Sequence, residues 1–240
     1  MSIAENIARV RERMDAAARR GGRDPEEIAL MAVTKTFPAE AIRAAYAAGA
    51  RVFGENYLQE FGEKSDGMGT AALVGPDASF HMIGHLQSNK ASKAVELFDA
   101  VDTVDSLKLA RRLDSAAAGL DKKLRVLIEI NVGGEDAKSG VAPDSAELEA
   151  LLAAAPALAH LEFCGLMTIP PWSEQGEASR PYFRRMRQLR DAIAARKLPA
   201  IAMDVLSMGM SGDFEIAIAE GSTCVRVGTA IFGRRPPRPA

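Results

Sequence analysis

The chain predicts a closed (β/α)8 TIM barrel with an extra helix at its N-terminus, and three observations carry that expectation. Eight short apolar runs recur along 240 residues. Helical stretches separate them, and side chains able to do chemistry gather at the C-terminal ends of the runs. Strands that read as continuous apolar segments between helices build a parallel sheet covered on its outer face. Eight such units in a chain of this length match the size of a closed barrel.

The first helix begins at Ser2, with Glu5 three residues on to complete a capping box. Its apolar stripe, Ile3, Ile7, Val10 and Met14, has helical spacing, and Gly21 and Gly22 stop it. The runs that read as strands are 28–35, 51–56, 80–84, 100–105, 124–131, 161–168, 202–208 and 224–232. Between them, Pro38 suits a first helical turn, Ser88 and Ser106 are N-cap residues, and Pro143 precedes a stretch containing Leu148, Leu151 and Leu152. The longest helical stretch, 177–197, alternates apolar and basic faces. No helix is expected after the eighth strand, so the N-terminal helix fills the vacant place in the outer ring. A doubly wound open sheet is the rival, but the turn after its first strand would carry a GxGxxG phosphate fingerprint, which is absent. Residues 1–234 thus read as a single domain and 235–240 as a frayed tail, with a mobile loop expected over 66–79.

Composition narrows the function classes. Hydrophobic residues make up 48% and charged residues 26%, the profile of a globular core. The net charge of -2 supplies no field to recruit nucleic acid or an anionic membrane. Cys164 and Cys224 sit in apolar runs without CxxC spacing, so neither a disulfide framework nor a zinc site is expected, and free thiols fit a reducing compartment. The amphipathic, acid-containing N-terminus is not a secretory signal, and no apolar run approaches the roughly 18 residues of a membrane span. A cytoplasmic chain is the expectation.

In such barrels the site lies at the C-terminal ends of the strands. Lys35 ends the first run, after Leu30, Met31, Ala32 and Val33, where desolvation lowers an amine pKa and favours Schiff-base formation with a carbonyl. A strand-end lysine that only reaches to solvent is the competing reading. Ser207, Met208, Gly209, Met210, Ser211 and Gly212 follow the seventh run, and Gly228 with Thr229 ends the eighth. These are the loops where barrels hold phosphate, although serines and glycines also serve as ordinary caps and turns. Arg226 lies two residues before Gly228 and so faces the barrel interior with it. It either meets a ligand there or forms a structural ion pair with Glu129 or Glu55. His81 and His85 flank a strand end and read as hydrogen-bonded loop histidines, not as a metal pair. Arg184, Arg185, Arg187 and Arg190 read as a solvated helix face.

The segments AVTKTFP, FGENYLQE, HMIGHLQSNK, INVGGEDAKSG, GLMTIPP, LSMGMSGDFEIAI and GSTCVRVGTAIFG resemble the pyridoxal-phosphate homeostasis protein family from the first strand almost to the last residue. The resemblance implies pyridoxal 5′-phosphate (PLP) as cofactor, carried as a Schiff base on Lys35. It places Asn56 near the cofactor, Ser207, Met208, Met210, Gly228 and Thr229 around the phosphate, and Arg226 against the pyridine nitrogen. Phe80 and His85 depart from the family pattern at the rim of the site. The implied role is supply and buffering of PLP inside the cell, with PLP-dependent apoenzymes as partners and a monomeric chain, without established catalysis. A weak amino-acid racemase or lyase is the alternative, and a Schiff-base aldolase on a phosphorylated sugar the second. Against a racemase, the chain ends soon after the eighth strand, and Tyr57, beside Asn56, is expected to pack in a helical core instead of serving as a second base.

Overall fold

The computed structural model describes residues 1–65, 73–135 and 138–234 of the chain. Residues 66–72, half of the 66–79 loop, and the whole 235–240 tail therefore lie outside the described residues. The strands are β1 (Ala29–Val33), β2 (Val52–Glu55), β3 (Ser79–Met82), β4 (Ala100–Val104), β5 (Leu124–Glu129), β6 (Leu161–Met167), β7 (Ile201–Ser207) and β8 (Cys224–Val227). All neighbours pair in parallel, and β8 returns to β1 to close the barrel.

The helices around it are α1 (Ile3–Arg20), α2 (Ala39–Ala47), α3 (Leu58–Lys64), α4 (Ala91–Leu97), α5 (Leu107–Gly119), α6 (Ala146–Ala154), α7 (Arg180–Ala195), α8 (Phe214–Ala219) and α9 (Thr229–Phe232). Ser2 caps α1 through the expected box, and Ile7, Val10 and Met14 are its buried stripe. Ser106 caps α5 by accepting the Leu109 N–H. Leu148, Leu151 and Leu152 are buried on α6, whose cap is Ser145. Ser88 differs from the expectation: it is the first residue of a short 3-10 turn that begins after Gln87.

One strand reading is corrected. The run 224–232 is a strand only as far as Val227 and turns helical from Thr229, so a short helix does follow the eighth strand. Apolar residues bounded by glycines do not distinguish a buried strand from a buried helical turn. α1 packs against α2, α8 and α9. Asn6 donates its side-chain N–H to Ile231 O, and Arg13 grips Glu215 with two hydrogen bonds of 3.2 and 3.0 Å.

Strand alternation sorts the core into two layers. Outward residues meet the helices; Phe53, Phe80, Phe61 and Phe98 form one continuous aromatic stack there, with centroids 4.7–5.0 Å apart. Inward residues include an apolar plug of Met31, Val33, Ile83 and Cys224. Beneath it lie polar side chains: His81 pairs with Asp102, Nδ1 to Oδ1 at 3.0 Å, and donates or accepts at Ser79 Oγ through Nε2. The C-terminal mouth lies at the opposite end of this plug.

Candidate functional site

The inward phase of the strands decides which side chains reach the mouth. Lys35 continues the phase of Met31 and Val33, and Gly228 that of Cys224 and Arg226. The β1–β8 register sets Met31 beside Arg226. Together with Asn56, Met210 and Thr229, these residues line a cavity of about 460 Å³. Lys35, Asn56, Met210, Arg226, Gly228 and Thr229 are thus brought together, while Ser207 and Met208 are not among its lining. Ser207 lies directly behind Arg226. Met208 has the outward phase, is fully buried in the outer core, and gives its N–H to Cys224 O, which removes that donor from any ligand.

The turn that carries Lys35 is strained and clamped. Thr36 has φ +67, a left-handed conformation unusual for a β-branched residue. Its N–H donates to Glu60 Oε1 at 2.5 Å, while its hydroxyl is buried without a partner among the described residues. The Lys64 ammonium lies 2.6 Å from Glu60, 2.8 Å from Glu55 and 2.9 Å from Thr34 O. The Thr34 hydroxyl donates to the same Glu55 oxygen at 2.8 Å. Burial pushes Glu55 above the usual carboxylate range, against the opposing pull of Lys64 and Thr34. Lys64 and Glu60 were missed in the sequence, although their spacing of four on one helix was a readable signal.

Arg226 is only 3% exposed. Its Nη1 donates to Ser207 Oγ at 2.8 Å and its Nη2 to Thr168 O at 2.7 Å. The ion-pair alternative is therefore not what the structure shows. Glu55 belongs to Lys64, and Glu129 accepts from the Ser139 hydroxyl at 3.0 Å. Burial lowers the guanidinium pKa from its ordinary value, and the largest offsetting influences are Cys224 and Asp102. Burial likewise raises Glu129, which keeps its second oxygen without a hydrogen bond among the described residues.

The loops after β7 and β8 are tied to one another, because Ser211 Oγ accepts the Ala230 N–H at 3.2 Å. Asp213 accepts the Met210 N–H at 2.6 Å and thereby folds the first loop. No hydrogen bond engages the backbone N–H groups of Ser211, Gly212, Gly228 or Thr229 among the described residues. Gly209 makes the crossing feasible: it has φ +94, and a Cβ there would lie 2.5 Å from the Ala217 side chain. Four open amides on two tied loops make a corner of the chemistry that suits an anion.

The rim came from residues that sequence reasoning left aside. Pro170, Pro171 and Trp172 overhang the cavity, with Trp172 81% exposed. Lys138 pairs with Glu135 and donates to Pro170 O, which ties two rim loops together. Tyr57 is 39% exposed at the start of α3, a correction to its expected core position. The arginines of α7 are also more than a solvated face: Arg184 and Arg187, with Arg180, surround the buried carboxylate of Glu220. His81 and His85 point to separate partners, Asp102 and Asp105.

The chain matches the model of the alanine racemase N-terminal domain over residues 2–236. It is 46% identical over 235 residues to a Pseudomonas aeruginosa protein called pyridoxal phosphate homeostasis protein, covering 98% of this chain and 96% of that one. An Escherichia coli K12 protein of the same name is 47% identical over 233 residues, covering 97% of each. Among solved structures, PipY of Synechococcus elongatus with PLP bound superposes with a TM-score of 0.81 at 38% identity, covering 97% of this chain and all of that one. With its barrel closed and these matches running end to end, the chain belongs to the alanine racemase N-terminal domain family, among its pyridoxal phosphate homeostasis proteins.

Proposed function

We propose that this chain holds PLP at the mouth of its barrel through Lys35 and acts in intracellular PLP homeostasis as a carrier, buffer or regulator, without established catalysis. One observation carries the reading: Lys35, Arg226 and the two amide-bearing loops converge on a single cavity of about 460 Å³, within the usual small-molecule range of about 300–1,000 Å³. The names of the relatives and the PLP in PipY support it. The residues fit the group. Four amides unengaged among the described residues suit a phosphate, the lysine suits an aldehyde, and a buried cation without a carboxylate contact among the described residues suits a neutral acceptor.

Bound PLP supplies an aldehyde that the Lys35 amine takes up as a Schiff base, and a phosphate dianion. The chain's own residues do the rest. Glu60, through the Thr36 N–H, fixes the turn that presents Lys35. Ser211, Gly212, Gly228 and Thr229 offer amides to the anion, while Asn56 and Met210 wall the cavity. Ser207 acts through Arg226 by holding its guanidinium, and Met208 by packing beneath the loop. A guanidinium only donates, so Arg226 beside a pyridine nitrogen keeps that nitrogen unprotonated and a poor electron sink. That choice favours holding the cofactor over generating a substrate carbanion. The same reading takes residues 1–234 as one domain, the chain as a cytoplasmic monomer, and PLP-dependent apoenzymes as recipients.

The test is the absorbance spectrum of the purified chain with added PLP, followed by borohydride reduction and peptide mapping. A visible band fixed covalently on the Lys35 peptide, and absent in Lys35→Ala, is the expected result. Modification scattered over surface lysines removes the reading. Steady amino-acid turnover abolished by Lys35→Ala replaces the carrier with an enzyme.

A further inference from the structure

A second concavity lies beside the barrel mouth, between the 3-10 turn Ser88–Lys90 with α4 on one side and α5 on the other. It encloses about 760 Å³, and an adjoining hollow of about 410 Å³ shares Lys108, Arg112 and Ser115 with it. The inner end of the groove is His85 and Asp105, which follow β3 and β4.

The charge in this groove is concentrated and unanswered. Several exposed arginines elsewhere meet carboxylates: Arg51 meets Asp77, Arg185 meets Asp144 and Arg196 meets Glu149. Lys108, Arg111 and Arg112 have no ion pair or side-chain hydrogen bond among the described residues, and all three are exposed along the two hollows. The carboxylate in the lining, Asp105, faces His85 at 3.5 Å. The acid on α5 itself, Asp114, is turned away to accept the His160 N–H at 2.8 Å.

This arrangement works against the helix that carries it. Like charges at spacings of three and four repel across one turn, and Lys108 sits in the first turn, where the helix dipole favours an acid. Two of the first three amides of the helix are already engaged, Leu109 by the Ser106 hydroxyl and Leu107 by Glu147. An anion in the groove is therefore held by side chains: a lysine, two arginines, and the hydroxyls of Ser92 and Ser115. Guanidinium and ammonium groups with hydroxyl donors, and no phenyl, phenol or indole ring in the lining, match a phosphate ester of a polar molecule more closely than a hydrophobic ligand.

We propose that this groove is a second ligand site that binds a small phosphate-bearing anion, separate from the cavity at Lys35. It does not depend on PLP being held there. The test is an NMR titration of the isotope-labelled full chain with inorganic phosphate and, separately, with glycerol 3-phosphate. The expected result is saturable shifts of amides in 85–92 and 105–116. The paired substitution Lys108→Gln with Arg112→Gln should weaken the apparent Kd about tenfold or more, as expected for losing charge-assisted contacts. Ser115→Glu, which adds a repelling charge, should do the same, and thermal melts check that both variants remain folded. Tighter binding of the ester than of phosphate assigns the site to phosphorylated metabolites, and equal binding assigns it to free phosphate; either supports the proposal. Shifts confined to residues around Lys35 and Gly228, linear shifts without saturation, or a double variant that binds like the parent overturn it.

Discussion

Glu60 receives the backbone N–H of Thr36 at 2.5 Å, so a helix side chain holds the residue that follows Lys35. Lys64 then neutralises Glu60 and the fully buried Glu55 together, each within 2.8 Å. Lys64→Met leaves two carboxylates facing each other without a cation. Breaking a buried pair from one side typically costs about 3–5 kcal/mol, and urea unfolding is expected to show a loss of that order. The paired change Lys64→Met with Glu55→Met is expected to recover much of it, since the stranded charge is gone. A single variant within about 1 kcal/mol of the parent would mean that the clamp is ornamental.

Arg226 joins β8 to β7 and β6 through Ser207 Oγ and Thr168 O. Arg226→Leu is expected to weaken PLP retention about tenfold or more in equilibrium dialysis, as one charge-assisted contact is lost. Arg226→Lys is not expected to rescue it, because an ammonium cannot span both acceptors in the guanidinium's plane. Full retention by the lysine variant would reduce the role of Arg226 to bare charge.

Glu129 gives a pH dependence with a defined sign. Burial raises its folded pKa above the ordinary 4.5, against the pull of Ser139 and Arg226. The folded state therefore holds the proton more tightly than the unfolded chain. That contribution is full below pH 4.5 and is lost as pH rises through the folded pKa. Glu129→Gln, which keeps an acceptor for Ser139 and has no proton to lose, should be more stable than the parent at pH 8. The two urea midpoints should converge toward pH 4.5. A variant less stable at pH 8 contradicts the sign.

The thiols should separate kinetically. Burial pushes the Cys224 thiol up to about 12, so almost no thiolate is present at neutral pH. At pH 8 a thiol reagent is expected to leave Cys224 unmodified in the native chain and to label both cysteines in denaturant. Rapid native labelling of Cys224, located by peptide mapping, would show that the barrel plug opens readily.

The barrel was legible because its strands are apolar runs of the right number, and because strand ends name the site. Lys35, Arg226 and Gly228 could be picked from position and phase, whereas Asn56 was placed by the family resemblance. Met208 shows where that reasoning thins: one residue from Ser207, it faces the opposite layer, and a loop motif read as a block conceals that alternation. The helix at Thr229 was hidden because Ala230, Ile231 and Phe232 continue an apolar run without a break. Glu60 and Lys64 were visible as a helical pair, but the turn they hold, at Thr36 and Thr34, lies 24 and 30 residues upstream. Contacts made across that distance are set by tertiary packing and leave no local pattern.

The β7–β8 ladder pairs only at Ser207 and Cys224. The join is completed by the Thr223 N–H on Leu206 O and the Met208 N–H on Cys224 O, by the Ser222 hydroxyl, which reaches Leu206 O and Met208 O, by Arg226 N–H on Gly209 O, and by the Arg226 side chain. A ring of strands breathes where backbone pairing is sparsest, and here that place borders both amide-bearing loops. An occupant gripping Ser211 on one side and Gly228 on the other would span this gap as a removable rung. Loading the protein would then register as slower amide exchange along β7 and β8 before any change was felt elsewhere in the barrel.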